Sequence, residues 1–232
     1  LGLEGAYPLG NDLDFLELLT DLGLRVLGLT WNKRNQVADG IGERSDCGLS
    51  EFGIQLVERA SRLGIIVDVS HLSERSFWDV MEVSKGPVMA SHSNAKAVCP
   101  HPRNLDDEQL IALAQRGGIV GIAFYPEFVK EGRPSLKDVV DHIDHVVEVA
   151  GVDHVGIGAD FINYLTEDFL SSMREDGGGL YEISGKIGYP SGIEDVTKLP
   201  NLTRELLNRG YPEGEVRKIL GENFLRLFRA AD

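Results

Sequence analysis

Short apolar runs rich in β-branched residues alternate along this chain with longer stretches in which apolar residues return every three or four positions. That alternation predicts strands separated by helices. The run "LRVLGLTW" at residues 24–31 reads as a strand. Helical spacing follows at 50–63, with Ser50 placed to cap the first turn and Gly64 to stop the last. The pattern then predicts strand 65–69, helix 73–83, strand 88–91, helix 106–116, strand 119–124, helix 135–150 and strand 155–158. Within 135–150, Leu136, Val139, Val140, Ile143, Val146, Val147 and Ala150 share one face. Residues 163–195 are Gly-rich and irregular, and are expected to form a long loop near a site. Two helices, at about 199–209 and 212–230, close the chain. The strands are apolar without alternation, as strands buried on both faces are, so the expected class is α/β with a parallel sheet.

Three of these apolar runs end on residues with chemistry. "VDVSHLSERS" ends its run at Ser70-His71, "PVMASHSNA" at Ser91-His92, and "HVGIGADF" at Asp160. In parallel β/α folds the carboxyl ends of the strands converge on one mouth, where functional side chains collect. Glu4 joins them if "LGLEG" is the tail of a strand. Imidazole and carboxylate donors from several strands suit a divalent metal, zinc in particular. The plain alternatives are a hydrogen-bonded strand-end histidine, an Asp160 that caps a turn, and a surface Glu4. The other histidines read as structural: His142 and His145 on the polar side of a helix, His154 ahead of a strand, and His101 in the rigid "CPHPRN" turn. Arg103 follows that turn and is a candidate clamp for a substrate carboxylate.

Composition narrows the partners. The formal net charge of −14 leaves no basic patch for a nucleic-acid backbone. The 232 residues suffice for one domain with a real core, so residues 1–232 are expected to be a single catalytic domain. Two cysteines, Cys47 and Cys99, imply no disulfide framework, and a cytoplasmic location is expected. No apolar run approaches membrane-spanning length. The chain opens on Leu1 rather than Met, which points to a processed or truncated N-terminus.

Several longer motifs carry a resemblance. "GLEGAYPLG", "GLRVLGLTWN", "LGIIVDVSH", "PVMASHSNAKAVC" with "PRNL", "VVDHIDHVVEVAGVDHVGIGADF" and "GIEDVTKLPNLTRELLNRGYPEGEVRKILGENFLRLF" are similar to the membrane (renal-type) dipeptidases, metallopeptidase family M19. The resemblance runs over nearly the whole chain, interrupted around 163–190. It implies a TIM (β/α)8-type metal-dependent hydrolase barrel with two zinc ions. It implies that Glu4 bridges both metals, that His71 and His92 hold one of them, that Arg103 binds the substrate carboxylate and that Asp160 handles the proton passed from water to the leaving amine. Asn32 and Tyr125 are further substrate-binding candidates.

Three departures stand out. The family's His-x-Asp pair for the other metal is not in this chain, and six strand signals are visible where a barrel needs eight, so N-terminal strands are expected to be missing and one complete half-site to remain. Trp31 stands where better-known members carry a histidine that supports the tetrahedral intermediate, with Asn32 beside it as a possible donor. Phe161-Ile162-Asn163 replaces the family's "FDG". The implied function is hydrolysis of a dipeptide by metal-activated water. The alternatives are an inactive metal-binding fragment or pseudoenzyme, and an amidohydrolase acting on lactams or N-acyl amino acids. A homodimer is the expected assembly.

Overall fold

The structure, a computed structural model, describes residues 1–162, 164–166, 168 and 187–231. The alternation read from the sequence forms as α/β structure with parallel strands. Most of the expected loop at 163–195 lies outside the described residues. The described residues fall into two compact units: residues 1–89 with 168 and 228–231, and residues 90–166 with 187–227.

In the first unit β1 (Gly2–Leu3), β2 (Val26–Gly28) and β3 (Ile66–Asp68) pair in parallel, Leu3 beside Leu27 and Leu27 beside Val67. The first residues of β4 (Val88–Ser93) continue the ladder, with Val67 beside Val88. Helix α1 (Asp14–Asp21) leads into β2, and α2 (Glu51–Arg62) and α3 (Glu74–Val83) flank β3 in sequence. Ser50 caps α2 by accepting the Gly53 N–H at 2.9 Å, and Ser73 caps α3 by accepting the Ser76 N–H. Leu56, Val57, Phe77 and Val80 are buried, and each buried side chain of this kind contributes roughly 1.5–3 kcal/mol relative to exposure. The expected strand at 24–31 is shorter than its apolar run, because Leu29 and Thr30 leave the ladder yet remain buried.

The second unit takes the rest of β4, β5 (Ile119–Ile122) and β6 (Val155–Ile157), with Gly121 beside Gly156. Strand β4 runs two residues past its expected end and includes His92, since the Ser93 carbonyl accepts the Ala123 N–H at 3.3 Å. Close packing around Ser91 demands glycine: a Cβ at Gly121 or Gly158 would collide with the Ser91 carbonyl oxygen. Helix α4 (Asp107–Gln115) lies between β4 and β5 in sequence, and α5 (Pro126–Val129) and α6 (Leu136–Ala150) lie between β5 and β6, with an Asp106/Gln109 capping box on α4.

Two expectations are corrected here. His142 is not on a solvated face but fully buried in α6. Its Nδ1 accepts the Ala95 N–H at 3.2 Å, so its Nε2–H donates to the Val129 carbonyl at 2.9 Å. A ring with both nitrogens satisfied can be buried at a position that the helical pattern assigned to the polar side. The closing helix at 212–230 is broken. After α7 (Leu199–Asn208) come α8 (Glu213–Arg217), a widened turn at Lys218–Glu222 in which Gly221 leaves helical geometry, and α9 (Asn223–Ala231). The break seats Asn223 against β6: its Nδ2 donates to the Val152 and Val155 carbonyls at 2.7 and 2.8 Å.

Candidate metal centre

Glu4 directly follows β1, and His71 stands three residues past β3. His71 Nε2 lies 3.1 Å from a Glu4 carboxylate oxygen. The His71 ring is 4 % exposed, and its Nδ1 lies 2.8 Å from Asn32 Oδ1. An amide oxygen can only accept, so Nδ1 carries a proton, and Nε2 is the nitrogen that faces the carboxylate. At 3.1 Å the two atoms are joined either by a proton, as an imidazolium–carboxylate pair, or by a metal ion that both would hold. The backbone of His71 is left-handed, with φ 70°. Its carbonyl accepts the Ile41 N–H at 2.8 Å and the Thr30 hydroxyl at 3.4 Å, which holds that turn. Trp31 sets its ring 5.9 Å from the His71 ring.

His92 projects from the end of β4, and its Nδ1 lies 2.8 Å from the Ser91 hydroxyl. Glu4 and His71 belong to the first unit and His92 to the second. The set fits a divalent metal on three counts. Carboxylate and two imidazoles are zinc-type donors. The 3.1 Å between the His71 and Glu4 atoms is close to the roughly 3.3 Å expected between two ligands on a tetrahedral ion with bonds of about 2.0–2.1 Å. Each histidine also has a hydrogen-bonding partner on Nδ1, so Nε2 is the nitrogen that would hold an ion.

Asp160, Arg103 and Tyr125 belong to the second unit. Asp160 lies three residues past β6 with a left-handed backbone, φ 54°. The Tyr189 hydroxyl donates to the Asp160 carbonyl at 2.5 Å and accepts the Ile162 N–H at 2.9 Å. Arg103 is 3 % exposed, and its guanidinium carbon lies 5.2 Å from the centre of the Phe128 ring. Its N–H is accepted by His101 Nδ1 at 3.2 Å, and its carbonyl accepts the Ser93 hydroxyl at 2.8 Å. Burial, and then the Arg103 charge, push the His101 pKa down to about 4. Tyr125 is buried against the same Phe128, ring centres 4.9 Å apart. Arg103 and Tyr125 are thus brought to one aromatic ring, while Asn32 is brought to His71.

The membrane dipeptidase family, peptidase family M19, matches residues 1–171 and 178–232. The chain belongs to that family. Among solved structures, an amidohydrolase from Pseudomonas aeruginosa superposes on this M19 chain with a TM-score of 0.93 at 37% identity, over 99% of this chain and 71% of its own. A metallopeptidase from Rhodobacter sphaeroides, liganded with a phosphinate mimic of the dipeptide L-Ala-D-Ala, superposes with a TM-score of 0.85 at 36% identity, over 100% of this chain and 62% of its own. The dipeptidase AC, a metallopeptidase of family M19, gives a TM-score of 0.84 at 36% identity, over 99% and 64%. The chain therefore spans less than two thirds of the length of two of these relatives, and it has their α/β fold.

Sequence patterns alone missed two partners in this M19 chain. Asn32 is a neighbour of the His71 ring rather than only a candidate donor to substrate. Tyr189 sits 29 residues from Asp160 and carries no local signal beyond its place after the Gly-rich stretch.

Proposed function

We propose that this chain carries part of the active site of a zinc-dependent dipeptidase. One observation carries the proposal: within the first unit, a buried imidazole nitrogen of His71 stands 3.1 Å from a Glu4 carboxylate oxygen. A bound divalent ion supplies a Lewis acid for the peptide carbonyl and lowers the pKa of a water to near neutrality. Glu4, with two carboxylate oxygens, is suited to reach a second ion. Asn32 acts through His71, by fixing the ring tautomer that offers Nε2.

The buried Arg103 offers a planar, permanently charged fork to the terminal carboxylate of a dipeptide. Phe128 and Tyr125 give that charge a low-dielectric wall, where an ion pair is stronger than in water. Asp160 takes the proton of the attacking water and returns it to the leaving amine. The dipeptide mimic held by the Rhodobacter sphaeroides enzyme supports a dipeptide as substrate. Trp31 favours one second possibility, a metal-binding protein with little activity, because an indole ring accepts no proton and can donate only from its N–H.

The test is made on protein purified without chelator from its complete reading frame. Bound zinc is measured by elemental analysis, and hydrolysis is measured on a panel of dipeptides, N-acyl amino acids and lactams. Zinc together with dipeptide cleavage is the expected result. Zinc without cleavage would favour the inactive form, cleavage confined to lactams or N-acyl amino acids would reassign the substrate, and no metal would sink the proposal.

A further inference from the structure

Two non-glycine residues among those described have a left-handed backbone, His71 and Asp160. Side chains adopt that conformation reluctantly, so each needs a local restraint, and such residues cluster at functional sites. His71 is held through its own carbonyl, as described above. At Asp160 the restraint comes from Tyr189, which is remote in sequence. The Tyr189 hydroxyl spans the turn: it donates to the Asp160 carbonyl at 2.5 Å and accepts the Ile162 N–H at 2.9 Å. Its ring stacks edge-on to Phe161, the residue between those two groups, at 5.0 Å. Phe161 in turn meets Phe124, just past β5, at 5.7 Å. Tyr189 is only 6 % exposed, so water competes poorly for its hydroxyl. Burial pushes the phenol pKa up, which keeps the donor proton in place.

We infer that Tyr189 is a positioning residue for Asp160: its hydroxyl closes the turn at 160–162 and so sets the direction in which the Asp160 carboxylate leaves the backbone. The inference rests on the role proposed for Asp160. The direction of Cβ follows from φ and ψ. A turn released from φ 54° toward the ordinary right-handed region would re-aim the carboxylate. Misplacement of a reacting group by about 1 Å costs on the order of a hundredfold in rate. The ring and the hydroxyl have separable parts: the ring packs Phe161, and the hydroxyl holds the turn.

The test is Tyr189→Phe, which keeps the ring and removes the hydroxyl, made in the protein from its complete reading frame. The measurements are kcat, KM, bound metal, melting temperature and the exchange rate of the Ile162 amide. The expected result is a fall in kcat of about tenfold, with KM within about twofold and metal content unchanged. The Ile162 amide should exchange at least about tenfold faster, having lost its acceptor. An unchanged kcat overturns the inference, as does a loss of rate that merely follows lost metal or lost folded protein. Asp160→Asn is measured beside it. If Asp160→Asn is near normal in rate, the proton role of Asp160 fails, and the clamp is then judged by Ile162 exchange alone. If Asp160→Asn abolishes turnover while Tyr189→Phe is fully active, only the clamp fails. Should the unaltered protein show no hydrolysis, Ile162 exchange again decides, and an unchanged rate there overturns the clamp.

Discussion

At the scale of single residues, the chemistry turns on which atom faces which. His71 alone among the candidate ligands has its tautomer set by a buried amide, since Asn32 Oδ1 can only accept from its Nδ1–H. Asn32→Ala should therefore weaken metal binding about 10- to 100-fold, read by competition with a chromophoric chelator. Unchanged affinity would mean that the ring is held by its surroundings alone. Asp160→Asn should keep the metal and lose turnover by about a hundredfold or more, the scale of a general acid–base contribution. The candidate ligands stood out in the sequence because chemistry-bearing residues end apolar runs. Their partners were not: Asn32 is 39 positions from His71, and Tyr189 is 29 from Asp160, separations at which local patterns carry no signal.

At the scale of elements, helix starts were written locally. Ser50, Ser73 and Asp106 each cap the helix that follows, because the capping oxygen and the amide it accepts are three residues apart. Strand ends were less legible. Strand β4 extends to Ser93 because of a hydrogen bond from Ala123 on a neighbouring segment, a partner that no window of sequence contains. The same strand explains two glycines. Gly121 and Gly158 flank Ser91 so closely that no side chain fits at either position. Gly158→Ala should destabilise the protein by about 1–3 kcal/mol through overpacking, read by urea denaturation. It should also reduce metal retention, because the displaced Ser91 adjoins His92. A variant with unaltered midpoint and metal content would show that the Ser91 backbone can move aside.

At the scale of the whole molecule, acid stability follows from two histidines that desolvation keeps neutral, one buried and one half-buried. His142 is fully buried, and desolvation is the main cause holding its pKa below the ordinary value of 6.5, against the pull of Asp141 and Asp138. His101 is held at about 4 by burial and by Arg103. In the unfolded chain both protonate near 6.5, so below that pH the unfolded state binds more protons than the folded one. The stability these groups contribute is complete above about pH 6.5 and falls as the pH drops toward 4. Melting temperature measured from pH 7.5 to 4 on metal-free protein should decline through that window, less steeply in His101→Phe. A flat profile would mean that neither histidine is excluded from water. The net charge of −14 lessens as carboxylates protonate, which works against this decline.

The sequence by itself determined the α/β alternation, the helix caps and the residue types that gather at strand ends. Each of these depends on neighbours within a few positions. The motifs of family M19 were likewise legible, as runs of adjacent residues. Tertiary structure alone decided what those residues face. It placed His142 in the core, broke the last helix where Asn223 docks on β6, turned Asn32 onto His71 and set Tyr189 across the Asp160 turn. The physical reason is the same in each case. A hydrogen bond between groups tens of residues apart depends on the direction of two side chains in the folded chain, and periodicity along the sequence encodes which face is apolar but not which atom meets which.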